Sequence, residues 1–280
     1  MSIAKSDATA TALPTVRPAS QDGPVKEPRF LNGLIGIGTG FLILIIWEIA
    51  GKEINPLFAS YPTQIAAELW RMTTGGQLLP AILESMYPFL TAFVLSAAIG
   101  IPVGIALGRS LLFRAAFGNY IVAIYMMPVI ALIPLYMLWF GLGFMVKVAI
   151  IFTMAIFPII INTWDGVSAV PKTMIELGQT FLASRTQVVC KIVLPAAVPF
   201  IMTGLRLAVG RGIVAMVVAE FFTGVSGLGA LIIMAGNQFN TAGLFGPVVV
   251  LMLIGVGLTQ LVSFIENKVA PWQKSTSASK

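Results

Sequence analysis

The residues that could do chemistry in this 280-residue chain are few, and they lie in apolar company. Arg206, Arg211 and Glu220 all fall within the apolar run from Val198 to Phe222. On a helix Arg206 and Arg211 point about 140° apart, and Glu220 lies on nearly the opposite face from Arg211. They cannot pair with one another within one helix. A charge at mid-bilayer costs about 2.5–3.5 kcal/mol on insertion scales, so each must reach the interface, face a wet cavity or meet a partner on another helix. Arg206, near the end of its run, is expected to snorkel. Arg211, between Gly210 and Gly212, suits a cavity or a helix partner as well as it suits snorkelling. Glu220 reads first as a structural acid at the interface and second as a substrate or gate residue. With no histidine and one cysteine, Cys190, the chain lacks the material for histidine general-base catalysis, a Cys/His zinc site or a disulfide framework.

The elements that hold these residues follow from composition. The chain is 58% hydrophobic and 10% charged, with a mean hydropathy of +0.94, whereas soluble chains are about 45–50% apolar and about 25% charged. Lipid must solvate most of it. A hydrocarbon core of roughly 30 Å needs about 20 apolar helical residues, and six segments approach that length: Leu31 to Trp47, Met86 to Leu107, Tyr120 to Leu138, Met145 to Ile161, Val198 to Phe222 and Leu244 to Ile265. Six spans put both termini on one side. If that side is the cytoplasm, Lys5, Arg17, Lys26, Arg29, Arg109, Arg114, Lys172, Arg185, Lys191, Lys268, Lys274 and Lys280 lie inside, and Lys52, Arg71 and Lys147 lie outside. That asymmetry obeys the positive-inside rule. It also accounts for the +6 net charge without a nucleic-acid partner.

The organisation expected is therefore a disordered cytoplasmic tail over 1–29, a transmembrane domain over 30–270 and a short cytoplasmic tail over 271–280. Residues 1–29 mix Ala, Ser, Thr and Pro with both charge signs and show no apolar period. Between the first two spans, Tyr61-Pro62-Thr63 starts a helix whose Ile65, Leu69 and Met72 make it amphipathic, lying on the outer surface. Leu228 to Ala235 is too short to cross and too apolar for open water, so it is expected to dip back or pack on the bundle mouth. Gly100, Gly104 and Gly108 form one helical stripe, as do Gly204, Ala208 and Gly212; packing within the subunit is favoured over a dimer seam. Pro102, Pro128, Pro134 and Pro158 predict kinks. Met126 and Met127 are adaptable packing atoms first and pathway-lining groups second.

The inner connection, 165–199, carries the most specific pattern. Pro171 suits the first turn of a helix with an apolar face of Met174, Ile175, Gly178, Phe181 and Leu182, and Glu176 lies in the half where the dipole favours an acid. Ser184 with Gln187 is a capping-box pattern that starts a second helix. Two short helices then meet near Leu182 to Ser184.

These residues resemble a known family. Glu176-Leu177-Gly178, three residues, Leu182, nine residues and Ile192-Val-Leu194-Pro195 is similar to the EAA loop of bacterial binding-protein-dependent ABC importer permeases, the type I or MetI-like fold. The usual pattern is Glu-Ala-Ala, three residues, Gly, nine residues, Ile-x-Leu-Pro. Here Leu177 and Gly178 replace the two alanines and Leu182 the glycine. Pro128 to Pro134, Leu138-Trp-Phe-Gly-Leu-Gly143, Gly204-Leu-Arg-Leu-Ala208 and Ala219-Glu220 with Ser226-Gly-Leu-Gly229 also resemble the nitrate, sulfonate, taurine and bicarbonate branch, over roughly residues 55 to 270.

The resemblance implies an all-α permease of the bacterial inner membrane: two copies form a pathway, two cytoplasmic ATPase subunits dock on the inner loops, and a soluble substrate-binding protein delivers a small solute, with sulfonates, nitrate and aromatic acids favoured. It places the coupling contacts on Glu176, Leu177, Gly178, Leu182, Ala183, Ser184, Ile192, Leu194 and Pro195. Candidate pathway or gate residues are Arg211, Glu220, Met126 and Met127. No Gly-x-x-x-x-Gly-Lys-Ser/Thr phosphate loop occurs in the chain, so no cofactor is expected on it; ATP and Mg would sit on the partner ATPase. The competing expectation is a self-sufficient secondary carrier or channel that uses Arg211 and Glu220 as an ion pair.

Overall fold

The computed structural model describes residues 29–55, 57–224 and 226–272; the tail expected over 1–29, apart from Arg29, and the final residues 273–280 lie outside them. Among the described residues every regular element is helical. The chain divides into two units, one ending at Ile46 and the other running from Trp47 to the C-terminus. The first holds most of α1 (Arg29–Glu53), which is apolar all round, as befits a helix solvated by lipid.

The second unit begins with the last turns of α1, which are tied to the following chain. The Trp47 indole N–H donates to the Ser60 carbonyl at 2.9 Å, and the backbone N–H and hydroxyl of Thr63 donate to the Glu48 carboxylate at 3.0 and 2.7 Å. These bonds set the start of α2 (Pro62–Thr74), where Pro62 occupies the first turn as expected. The apolar side of α2 faces the bundle: Ile65 and Met72 are buried, and Leu69 reaches within 3.3 Å of where a side chain on Gly246 would begin.

Three long helices form the centre: α3 (Leu78–Arg109), α6 (Phe144–Ser168) and α9 (Leu194–Thr223), with α6 packed between the other two. The glycine stripes explain the arrangement. A Cβ on Gly104 would lie 2.6 Å from the Thr163 Cβ and 2.7 Å from the Ile160 carbonyl oxygen, and one on Gly108 would lie 2.4 Å from a Val167 methyl. On the other flank, a Cβ on Gly204 would lie 3.0 Å from both the Pro158 carbonyl oxygen and the Asn162 Cβ. Both stripes are therefore internal to the subunit. In lipid, where no hydrophobic effect draws helices together, such close backbone approach supplies the dispersion contacts.

The segment expected to be the third span, with kinks at Pro128 and Pro134, is broken outright. After α4 (Leu111–Tyr125), Met126 to Pro128 leave the helix, a 3-10 turn spans Val129–Leu132, and α5 (Ile133–Phe140) departs at 85° to α4. Pro128 supplies no N–H and disfavours helical geometry at Met127, and Pro134 is accepted only because it falls in the first turn of α5. Pro102 and Pro158 stay inside continuous helices. Among the described residues five helices are long and apolar enough to cross a membrane, and the bent pair makes six if counted as one span.

The chain then forms α7 (Lys172–Thr180), α8 (Arg185–Val188) and a π turn (Val189–Val193) that runs straight into α9. The second helix of the inner hairpin is thus the first part of the fifth span. The wide π turn precedes Pro195, whose ring crowds the carbonyl four residues back. On the opposite end, α10 (Leu228–Asn237) packs against α9 and α11 (Thr241–Val269) with Leu228, Gly229, Ile232 and Ala235 buried.

Candidate functional site

The inner hairpin is built around a left-handed residue. The Ala183 N–H donates to the Gly178 carbonyl at 3.1 Å, and Leu182 between them has φ of 56°. This is a helix-ending motif in which the residue after the cap goes left-handed, a place normally held by glycine. Leu182 is the position where the importer loop pattern has its glycine. The capping box expected from Ser184 and Gln187 forms: the Gln187 N–H donates to the Ser184 hydroxyl at 3.2 Å, and the Ser184 N–H donates to the Gln187 side chain at 2.8 Å.

One side of the hairpin is anchored and the other is bare. Ile175, Ala183, Ile192 and Leu194 pack on a cluster containing Val167, Val170, Val188 and Val193. Gly178 is buried, and the tip of Ile192 would lie 2.8 Å from any Cβ placed there. Met174, Leu177, Phe181 and Leu182 instead form an exposed apolar ridge; Phe181 is 79% and Leu182 93% exposed. Glu176 and Ser184 flank it, with Glu176 exposed. The expected five-residue apolar face therefore splits: Ile175 and Gly178 turn inward, and Met174, Phe181 and Leu182 turn outward.

Glu220 belongs to a different structure. It is fully buried and carries four contacts: the Ser85 hydroxyl donates to Oε1 at 2.7 Å, the Gly229 N–H to Oε2 at 2.7 Å, and Lys147 Nζ lies 3.3 Å from Oε1; the Glu220 side chain also fills the space beside Gly227, where a Cβ would meet Oε1. Lys147 in turn donates to the Ser226 carbonyl at 3.0 Å and meets its hydroxyl at 3.3 Å, while the Leu228 N–H donates to the Ser85 hydroxyl at 2.9 Å. The knot joins α3, α6 and α9 to the segment before α10. Gly227, with φ of 99°, is the left-handed corner that this segment requires.

Arg211 does not meet Glu220. Its guanidinium carbon lies over the Tyr125 ring, 4.7 Å from its centre, at the end of α4, and the side chain lines a cavity of about 190 Å³ with Met127, Pro128, Thr153 and Phe157. Met126 is exposed beside the same break. Arg206, expected to snorkel, instead faces Glu266 of α11 at 3.0 Å. On the outer helix, Arg71 donates to the Glu68 carboxylate at 2.9 Å, and that hydrogen bond, together with the carboxylate's charge, holds the guanidinium above its ordinary value.

Comparison with known proteins places this geometry. Residues 100–274 match the model of the binding-protein-dependent transport system inner membrane component family. The chain belongs to this permease family. Similar proteins include the taurine transport system permease protein TauC of Escherichia coli, 30% identical over 245 residues, which cover 85% of this chain and 89% of TauC. The formylaminopyrimidine transport permease protein ThiX of Halalkalibacterium halodurans is 31% identical over 244 residues, covering 83% and 93%. An inward-facing crystal structure of the MetNI methionine ABC transporter superposes with a TM-score of 0.58 at 18% identity, covering 68% of this chain and 95% of that one, and so shares its fold.

As a permease of this family the chain is a multi-pass inner-membrane subunit without catalytic activity of its own, and it works with an ATPase and a substrate-binding protein. The ion pair on which a self-sufficient carrier would have rested is absent, because Glu220 is committed to Lys147. Lys147 is the residue that sequence reasoning missed. It counts among the charges expected outside, and in the structure it stands in the first turn of α6, 4% exposed. Its signal was its place at the start of the Met145 to Ile161 run, where a lysine reads as a boundary marker but can equally turn inward.

Proposed function

We propose that this permease is the pathway-forming subunit of an ATP-driven importer for a small anion such as a sulfonate, nitrate or an aromatic acid. Two copies form the pathway, and the hairpin from Glu176 to Pro195 docks on an ATPase that holds the ATP and Mg. The observation that carries the coupling role is the ridge of Met174, Leu177, Phe181 and Leu182, bare on one side while Ile175, Gly178 and Ile192 anchor the other. A cluster of apolar side chains held rigidly at a capped corner is the kind of surface a partner covers.

The mechanism follows from linkage. Nucleotide closing the ATPase dimer draws the two hairpins together, and because α8, the π turn and α9 are one continuous rod, displacement at Ser184 is carried into the fifth span. The bundle shifts only to the extent that the ATPase binds its two states with different affinity. The cargo assignment is supported by the similarity to a taurine permease and by the cation lining the cavity at the broken span.

The test is co-expression of the permease with its ATPase, followed by reconstitution with a loaded binding protein. Wild type should co-purify with the ATPase and show hydrolysis stimulated by that binding protein. Phe181→Asp should lose co-purification while the permease itself still folds. Uptake by the permease alone, with no ATPase present, would refute the proposal.

A further inference from the structure

Arg211 lies about midway along α9, roughly 26 Å from Leu194 and roughly 18 Å from Thr223 at the helical rise per residue. Lys147 and Arg206, the other basic residues within α6 and α9, each face a carboxylate. Arg211 faces none among the described residues. Among the described residues its guanidinium meets the Tyr125 ring, and an aromatic face stabilises a cation without neutralising it. A charge left in this condition at such depth is costly unless water or an anion reaches it.

The surroundings provide for that. The cavity beside Arg211 holds about 190 Å³, room for about six waters at liquid density. It is smaller than the pockets of drug-sized ligands, which run from about 300 Å³ upward. Its walls come from the break in the third span: Tyr125, Met127 and Pro128 on one side, Thr153 and Phe157 of α6 on the other. The Thr153 hydroxyl donates to the Ala149 carbonyl at 2.8 Å and meets the Tyr136 hydroxyl at 3.0 Å, and among the described residues the lining holds Arg211 as its one cation and no carboxylate. Contact with one ring does not use up the five N–H donors of the guanidinium, whose planar fork can serve two oxygens of a planar or tetrahedral anion together.

We propose that this pocket is an anion subsite of the translocation pathway, in which Arg211, held by Tyr125, receives the sulfonate, nitrate or carboxylate group of the solute as it passes the broken span. The proposal rests on the importer reading and specifies the charge its pathway selects. Tyr125 is a positioning residue; Arg211 makes the contact. A second copy's acid meeting Arg211 would leave no room for an anion, and the test separates the two.

The experiment uses the permease assembled with its ATPase in lipid nanodiscs, with Tyr125→Trp as a fluorescent reporter, since indole offers a guanidinium an equal or better face. Sodium methanesulfonate replaces sodium lactobionate, a disaccharide acid too bulky for a cavity of about 190 Å³, at constant ionic strength, and acetamide serves as the uncharged probe. Tryptophan emission should change saturably with methanesulfonate, half complete at roughly 1–10 mM, the weak affinity a site needs if it must also release its cargo. The response should survive Arg211→Lys, weaken by about tenfold or more in Arg211→Gln, and be missing with acetamide. An equal response after Arg211→Gln, an equal response to acetamide, or no saturable response in the reporter that keeps Arg211 overturns the proposal. If Arg211→Gln does not assemble, the titrations of the Arg211 and Lys forms against the two probes still decide. Hydrolysis stimulated by a loaded binding protein is measured in the same discs; its failure would sink the importer reading and leave the anion result to stand separately.

Discussion

Lys147 Nζ lies 3.3 Å from Glu220 Oε1, with both side chains sealed from solvent. The pair links α6 to α9 in a region where neither charge could be left alone, and its remaining hydrogen bonds go to Ser85, Ser226 and the Gly229 N–H. Such a pair gives little net stability over an apolar pair, but it makes the register of the α10 segment specific, because each partner is stranded if the other moves.

Removing one partner should therefore cost more than removing both. Lys147→Met or Glu220→Gln alone is expected to destabilise the purified permease by about 3–5 kcal/mol. The double variant should lose clearly less than the sum. Thermal unfolding in detergent measures this, and strictly additive losses would show that the two residues are not coupled.

Ser85→Ala should act locally. Its hydroxyl accepts from the Leu228 N–H and donates to Glu220, so the substitution orphans a buried donor at a cost of about 1–3 kcal/mol. Hydrogen exchange should accelerate at the start of α10 while the centre of α6 remains protected. Unchanged exchange at Leu228 would contradict the assigned bond.

Leu182→Gly should stabilise the hairpin, because a residue with a Cβ in left-handed geometry pays about 1–2 kcal/mol that glycine avoids. Leu182→Val should do the reverse. Limited proteolysis between Phe181 and Arg185 reads the difference directly; the expected order of resistance is Gly, Leu, Val.

At the other half of the corner, Ser184→Ala removes the capping box and should cost about 1 kcal/mol. Asn or Asp at 184 should restore most of that. The same proteolysis assay applies, and a null effect of Ala would mean that the helix start is held by packing alone.

Gly104→Ala and Gly210→Ala make an internal comparison. An added methyl at 104 collides with Thr163 and the Ile160 carbonyl, whereas one at 210 meets nothing within 4 Å. Gly104→Ala should lower stability by about 1–3 kcal/mol through overpacking, and Gly210→Ala should be neutral or gain a few tenths through helix propensity. Equal melting temperatures for the two would argue against the α3–α6 packing.

Much of the fold could be read without coordinates, for reasons that are local. Runs of apolar residues long enough to span lipid must be helical, since lipid offers the backbone no other hydrogen-bond partner. Pro62 and the pairing of Ser184 with Gln187 mark helix starts because capping depends on residues three or four apart. Glycines at every fourth position announce a close neighbour. They do not say which one.

Partnership was the part decided in three dimensions. The sequence by itself determined the helical class, the corner at Leu182 to Ser184 and the family, because all three rest on residue type at short spacing. Only the tertiary structure decided that Glu220 meets Lys147 and not Arg211, that Arg206 meets Glu266, and that the third span breaks by 85° beside Arg211. A buried charge is stabilised by whatever opposite charge packing brings within a few ångströms, and that neighbour lies 73 positions away in one case and 60 in the other. No periodicity along one helix carries that information.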